Sequence, residues 1–128
     1  MAPSDGPTIG RIEGAREHPV AGIDRDGRAV VVRLQGELDL YNAPDVRGAL
    51  LDSCAEEPAR LVVDLTDVEF VDSTALGVLV EARAKMADGR AFILAAPGME
   101  TRRALEVSGL DRHFSIHASR DEALGAPL

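Results

Sequence analysis

The sequence is poor in aromatic residues and in basic residues, and each shortage removes a class of function. Aromatic side chains make up 3% of the 128 residues and tryptophan is absent, so platforms on which bases or sugars could stack are nearly excluded. The 14 basic residues are outnumbered by 22 acidic ones, which gives a formal net charge of −8. That balance disfavours direct binding to nucleic-acid phosphates and to anionic membrane surfaces.

Cysteine and long apolar runs are also scarce. The single cysteine, Cys54, cannot form an internal disulfide. No apolar run approaches the ~20 residues of a membrane-spanning helix, and residues 1–10 lack the apolar core of a signal peptide. We therefore expect a cytoplasmic protein without membrane association. The 45% of hydrophobic residues suffice for one core, and the length fits one domain.

What is present is an alternation of apolar strands and amphipathic helices. The apolar patterns predict strands at residues 20–23, 28–35, 60–66, 91–96 and 114–116. Helical spacing and capping residues predict helices at 44–55, 73–87 and 99–108, and a closing helical turn at 121–124. A four-residue turn joins the first two strands into a hairpin, and the later strands alternate with helices, which implies parallel pairing. The predicted fold class is α/β, a small mixed β-sheet with an N-terminal hairpin and then β-α repeats packed with helices.

The first 18 residues differ from the rest in composition. They carry glycine, proline and charge without a sustained period, and we expect them to form a flexible N-terminal tail. Residues 19–128 are then the single folded domain.

Two polar segments follow predicted strands, at residues 36–42 and 66–74. Because the carboxyl ends of parallel strands meet at one edge of a sheet, we expect both segments to lie at the same edge. The acidic residues placed there are Glu37, Asp39, Asp67, Glu69 and Asp72.

Ser73 lies at the predicted start of the second helix. Asp72 is a good N-cap, which makes Ser73 the first helical residue and places its hydroxyl beside unsatisfied backbone N–H groups. A phosphate on Ser73 would be tolerated there, since a helix N-terminus stabilises negative charge. Helix chemistry alone, however, favours the simpler interpretation that Asp72, Ser73 and Thr74 only cap the helix.

Three segments together resemble one protein family. Residues 68–79, VEFVDSTALGVL, resemble the signature loop and helix of the STAS domain in bacterial anti-sigma-factor antagonists. Residues 36–39, Gly-Glu-Leu-Asp, resemble the first polar motif of that family, and Pro97, Leu105 and residues 108–110 resemble its third helix and terminus. The resemblance covers residues 20–124 in order. It departs at Ala75, where many members carry glycine.

The resemblance implies a switch rather than an enzyme, with no cofactor and no metal. In the family, the unmodified antagonist binds an anti-sigma factor that is also a serine kinase, and this frees the sigma factor. Phosphorylation of the serine at the helix start ends the binding, and a serine phosphatase reverses it. For this chain, the resemblance implies that Ser73 is the residue that accepts the phosphate and that Thr74 is a less favoured acceptor. It also implies that Asp39 makes a contact across the edge. The implied partner-binding residues are Glu37, Asp39, Asp72, Ser73, Thr74 and Gly77.

Two alternatives within the same fold remain open. One is a scaffold subunit of a larger signalling complex, and the other is a small-ligand carrier or enzyme that uses the carboxylates of Asp39 and Asp72. A flat or convex edge around Ser73 would favour a protein partner, whereas a deep pocket lined by both acids would favour ligand chemistry.

Other reactive residues have plainer interpretations. His113 and His117 lack a third metal ligand, so we interpret them as a surface pair. Cys54 lies on an apolar stripe and is interpreted as a core thiol. Ser73 lacks a nearby histidine base and the elbow sequence of a hydrolase nucleophile.

Overall fold

Five strands form one mixed sheet in the computed structural model, which describes residues 17–128. They lie side by side in chain order: β1 (Val20–Asp26), β2 (Ala29–Leu38), β3 (Arg60–Val71), β4 (Phe92–Ala95) and β5 (Ser115–His117). The pair β1–β2 is antiparallel, and the three following pairs are parallel. The predicted mixed sheet that opens with a hairpin is therefore confirmed. Residues 1–16, most of the predicted tail, lie outside the described residues.

Four helices cover the two faces of the sheet unequally. They are α1 (Ala43–Ala55), α2 (Ser73–Ala84), α3 (Met99–Val107) and α4 (Arg120–Gly125). Alternate residues of β2 point to opposite faces: Val30 and Val32 enter the larger core with α1, α2 and α3, whereas Val31 packs with Ala123 of α4 in a smaller core. None of the helices among the described residues is long and apolar enough to cross a bilayer.

The two predicted polar segments both begin as paired strand. Strand β2 continues through Gly36 to Leu38, and β3 continues from Thr66 to Val71, in parallel register with β2. The register shifts between residues 33 and 35 and between residues 36 and 37, and the left-handed φ of +75° at Gly36 fits such an irregularity. The shifts disturb the alternation of buried and exposed side chains that marks a strand, so the sequence pattern does not indicate that the two strands continue to Leu38 and Val71.

Several element ends also differ from the prediction. The hairpin turn spans residues 27 and 28 rather than four residues, because β1 extends to Asp26, and Gly27 supplies the left-handed φ of +61°. Helix α2 ends at Ala84 rather than near Ala87, and Gly89 begins a separate 3-10 turn in which Asp88 accepts a hydrogen bond from the Arg90 amide. The Asp88 cap therefore belongs to this separate turn and not to α2.

The side chain of Glu81 holds α2 against α1. The sequence spacing predicts an ion pair between Glu81 and Lys85, which is the residue after the end of α2. In the structure, the Glu81 carboxylate accepts two hydrogen bonds from the guanidinium of Arg47 on α1, at 2.8 and 2.7 Å. This paired geometry fits a planar guanidinium better than a lysine ammonium. The pKa of Glu81 is lowered mainly by its hydrogen bonds with Arg47 and also by the charge of Lys85.

A group of charged side chains holds α4 on the second face. The Oδ2 atom of Asp24 on β1 accepts hydrogen bonds from Arg120 on α4 and from Arg33 on β2, each at 2.9 Å. Arg60 donates to the backbone carbonyl of Ala123 at 2.7 Å. The hydrogen bonds from Arg120 and Arg33 hold the pKa of Asp24 below its ordinary value.

The Asp24→Asn substitution is expected to lower the free energy of unfolding most at neutral pH and least in acid. Because the pKa of Asp24 is depressed in the folded state, its charge contributes stability above the ordinary value of 3.8. That contribution is lost as the pH falls through the lower folded-state pKa. Urea unfolding of both proteins at neutral pH and below the ordinary pKa measures the difference. A difference that did not change with pH would contradict this account.

Candidate functional site

Ser73 is the first residue of α2 and lies exposed where β3 ends. The residue before it, Asp72, is the N-cap, and its Oδ1 atom accepts a hydrogen bond from the backbone N–H of Ala75 at 2.9 Å. This confirms the predicted cap. The serine hydroxyl therefore stands at the amino end of the helix, where free N–H groups and the helix dipole favour an anion.

Asp72 also joins the two polar segments. Its backbone N–H donates to the carbonyl of Leu38 at 3.0 Å, and its Oδ2 atom accepts from the backbone N–H of Leu40 at 3.0 Å. One carboxylate thus caps α2 with one oxygen and holds the chain after β2 with the other. The two segments lie at one edge of the sheet, as the parallel topology predicts.

The segment after β2 is held by its own polar groups. The Oδ1 atom of Asp39 accepts hydrogen bonds from the backbone N–H groups of Tyr41 at 3.0 Å and Asn42 at 3.4 Å. The Asn42 side chain accepts from the Asp39 N–H and donates to the Glu37 carbonyl. Asp39 is predicted to make a contact across the edge, and this stays a prediction. Two bonds that cross the edge are those of Asp72, from its N–H to the Leu38 carbonyl and from the Leu40 N–H to its carboxylate.

The other predicted contact residues differ in exposure. Glu37, Thr74 and Gly77 are exposed, whereas Asp39 and Asp72 are half-buried. Gly77 follows Ser73 by four residues on α2, so the two share a helix face. A Cβ atom added at Gly77 would meet no heavy atom within 4 Å. The fold itself therefore does not need glycine at this position.

Four exposed apolar side chains at this edge were missed by sequence reasoning. Leu40 and Tyr41 follow β2, Phe70 lies near the end of β3, and Met99 begins α3. Their exposed fractions are 60%, 84%, 47% and 83%, respectively. Their only sequence signal is a large apolar residue at or beyond the carboxyl end of a strand.

Asp39 and Asp72 do not line two of the cavities found among the described residues. A cavity of about 680 Å³ lies at the C-terminal ends of α1 and α2, with Leu51, Cys54 and Met86 in its lining. Helix α2 separates it from Ser73 by about 18 Å, at 1.5 Å per residue. A cleft of about 290 Å³ reaches the edge through Gly36 and Glu37. Neither of these two cavities is lined by Asp39 or Asp72.

The remaining reactive side chains occupy structural positions. Cys54 is buried and its thiol lies 3.5 Å from the carbonyl of Ala82. Burial raises the pKa of this thiol, which opposes formation of the nucleophilic thiolate. His113 packs edge-on against Phe114 at a ring distance of 5.3 Å. Within residues 17–128, no group of three or more His, Cys, Asp or Glu side chains could hold a metal ion.

Comparison with known proteins gives a consistent result across family, sequence and structure. The profile of the STAS domain matches residues 21–123. The anti-sigma-F factor antagonist RsfB of Mycobacterium tuberculosis is 35% identical over 101 residues, which are 79% of this chain and 82% of that protein. The anti-sigma-B factor antagonist of Listeria monocytogenes is 37% identical over 104 residues, which are 80% of this chain and 90% of that protein.

A solved structure extends the similarity to three dimensions. The crystal structure of an anti-sigma factor antagonist from Mycobacterium paratuberculosis matches with a TM-score of 0.76 and 34% identity. The match covers 81% of this chain and 89% of that chain.

Proposed function

This chain belongs to the STAS domain family, and from that premise we propose that it is an anti-sigma-factor antagonist switched at Ser73. The unphosphorylated form binds an anti-sigma factor that is also a serine kinase, and this frees the sigma factor. Phosphorylation of Ser73 ends the binding, and a serine phosphatase restores the binding form. The observation that carries the proposal is the exposed Ser73 hydroxyl at the amino end of α2, beside the Asp72 cap.

The fold can accept a phosphate at Ser73 without rearranging. The side chain is exposed, so no packed group needs to move. The backbone N–H groups of the first helical turn and the helix dipole stabilise an anion at this end. The phosphorylated protein is therefore expected to stay folded, and the switch operates through the surface that the partner meets.

The same phosphate changes that surface strongly. It adds about −1.5 to −2 charges at neutral pH, next to the carboxylate of Asp72 and at the edge that carries Glu37 and Glu69. An interface closing over Ser73 would have to desolvate this charge. A hundredfold loss of affinity requires only about 2.7 kcal/mol, which a buried interfacial charge readily supplies.

The test is to mix the protein with ATP and each candidate serine-kinase anti-sigma factor encoded in the genome of its source organism. Phosphopeptide mass spectrometry is expected to locate one phosphate on Ser73, and the Ser73→Ala variant to acquire none. The Thr74→Ala variant is the matched control and is expected to be phosphorylated normally. Modification of Thr74 in place of Ser73, or of neither residue with any kinase, would contradict the proposal.

The Gly77→Ala substitution is expected to change stability and binding in opposite directions. Alanine favours a helix over glycine by about 0.5–1 kcal/mol, and its Cβ meets no neighbouring atom, so the free energy of unfolding should rise. The same methyl group protrudes on the face of Ser73 and should weaken partner binding several-fold. Urea unfolding and titration calorimetry measure the two effects. Unchanged affinity would place Gly77 outside the interface.

A further inference from the structure

We propose that the four exposed apolar side chains around Ser73 form two anchors on which the anti-sigma factor docks. The first anchor is Leu40 with Tyr41, and the second is Met99 with Phe70. The inference rests on the proposed function and adds to it a division of roles. The anchors contribute binding free energy to both the unphosphorylated and the phosphorylated protein. The phosphate on Ser73 sets the difference in affinity between these two forms.

The exposure of these side chains is concentrated in one region. Seven large hydrophobic side chains are exposed among the described residues, and four of them lie at or beyond the carboxyl ends of β2, β3 and β4. Single exposed apolar residues are ordinary, whereas a group at one edge is typical of a protein interface. Tyr41, at 84% exposed, is a residue type enriched among interface hot spots.

The first anchor is held in place before any partner arrives. The Leu40 N–H donates to Asp72 at 3.0 Å, and the Tyr41 N–H donates to Asp39 at 3.0 Å. The backbone under both side chains is therefore positioned by carboxylates of the same edge. A backbone held in this way reduces the entropy lost on binding, which favours affinity.

The second anchor combines Phe70, near the end of β3, with Met99, at the start of α3. A Cβ atom added at Gly98 would lie 3.8 Å from the carbonyl oxygen of Val68 on β3, so the start of α3 adjoins the end of that strand. Met99 follows Gly98 directly and is 83% exposed. Phe70 is two residues beyond Val68 and pairs in register with Glu37. Methionine adapts its shape readily, which suits a contact surface.

The charges around the anchors specify the partner's surface. Acidic Glu37, Asp67 and Glu69 are exposed at the ends of β2 and β3, in a chain of net charge −8. The matching surface is therefore apolar where the anchors insert and carries arginine or lysine at its rim. The partner with this surface is the kinase anti-sigma factor, since the Leu40 N–H of the first anchor bonds to Asp72, the neighbour of the serine that the kinase must reach.

The two anchors are tested by truncation, with the kinase anti-sigma factor that phosphorylates Ser73 as the binding probe. Tyr41→Ala and Met99→Ala are each expected to weaken binding by tenfold or more. Val107→Ala is the matched control, because Val107 lies on the same helix as Met99 and is 82% exposed. It is expected to change affinity less than twofold. Circular dichroism verifies that all three variants are folded.

The division of roles is tested by measuring the effect of Tyr41→Ala on affinity in two backgrounds, with and without Ser73→Glu. In the Ser73→Glu background, Tyr41→Ala is expected to cause the same fold-loss of affinity as in the parent protein, so the ratio between the two states stays constant. If the parent binds but both anchor variants bind equally well, this inference is wrong and the proposed function stands. If a truncation changes the affinity ratio between the parent and Ser73→Glu forms as much as it changes the affinity itself, the division of roles is wrong. If the parent binds no such kinase, both proposals fail.

Discussion

The Ser73→Glu substitution is expected to weaken binding to the anti-sigma factor about a hundredfold, or about 2.7 kcal/mol. Glutamate places a permanent negative charge at the N-terminus of α2, where the fold tolerates it. In the proposed complex, the same charge would lie against the partner beside Asp72. Titration calorimetry with the kinase anti-sigma factor measures the loss.

Two variants separate the effect of charge at the site from other effects. Ser73→Ala removes the hydroxyl without adding charge and is expected to bind within a few-fold of the parent. Ala84→Glu adds the same charge at an exposed position at the other end of α2, and should leave binding nearly unchanged. Equal weakening by Ser73→Glu and Ala84→Glu would show a general charge effect and contradict a local switch.

The Leu79→Ala substitution is expected to lower the free energy of unfolding by about 2–5 kcal/mol, because it removes a buried side chain and leaves a cavity. Leu79 is 1% exposed and packs α2 into the larger core. The other buried residues of α2 are Ala75, Leu76, Val78 and Ala82, so Leu79 is one of three large side chains that pack this helix into the core. A domain is typically stable by only 5–15 kcal/mol, and the loss is a large share of that.

Urea unfolding measures the loss for Leu79→Ala, with Val107→Ala as the exposed control. That control is expected to change the free energy of unfolding by less than about 0.5 kcal/mol. The folded fraction of the Leu79→Ala protein should still bind the partner, because Leu79 faces the core and Ser73 faces outward. A loss below about 1 kcal/mol would show that α2 is held by contacts other than this side chain.

Local chemistry made the cap and the alternation of elements predictable from sequence. Asp72 before a helical stripe is sufficient to place a helix start, because the cap bond spans only three residues. The strand ends were less predictable, since register shifts near Gln35 and Glu37 disturb the alternation that marks a strand.

The contacts that complete the site were not predictable from sequence. The bond from the Leu40 N–H to Asp72 joins residues 32 positions apart. Because every residue except proline has a backbone N–H, the residue type at position 40 does not indicate this donor. The grouping of Tyr41 with Met99 depends on where three strands end in the sheet. In the sequence, Tyr41 lies between Leu40 and Asn42, and Met99 lies between Gly98 and Glu100, and no periodic pattern distinguishes either position.

We propose that the unmodified protein frees a sigma factor and that a phosphate on Ser73 prevents this. The most direct measurement adds each form, at equal concentration, to a preformed complex of the kinase anti-sigma factor and its sigma factor. Free sigma factor is then quantified by native electrophoresis and by sigma-dependent transcription. The account predicts release by the unmodified protein and almost none by the Ser73-phosphorylated protein. Equal release by both forms, or no release by the unmodified form, would contradict it.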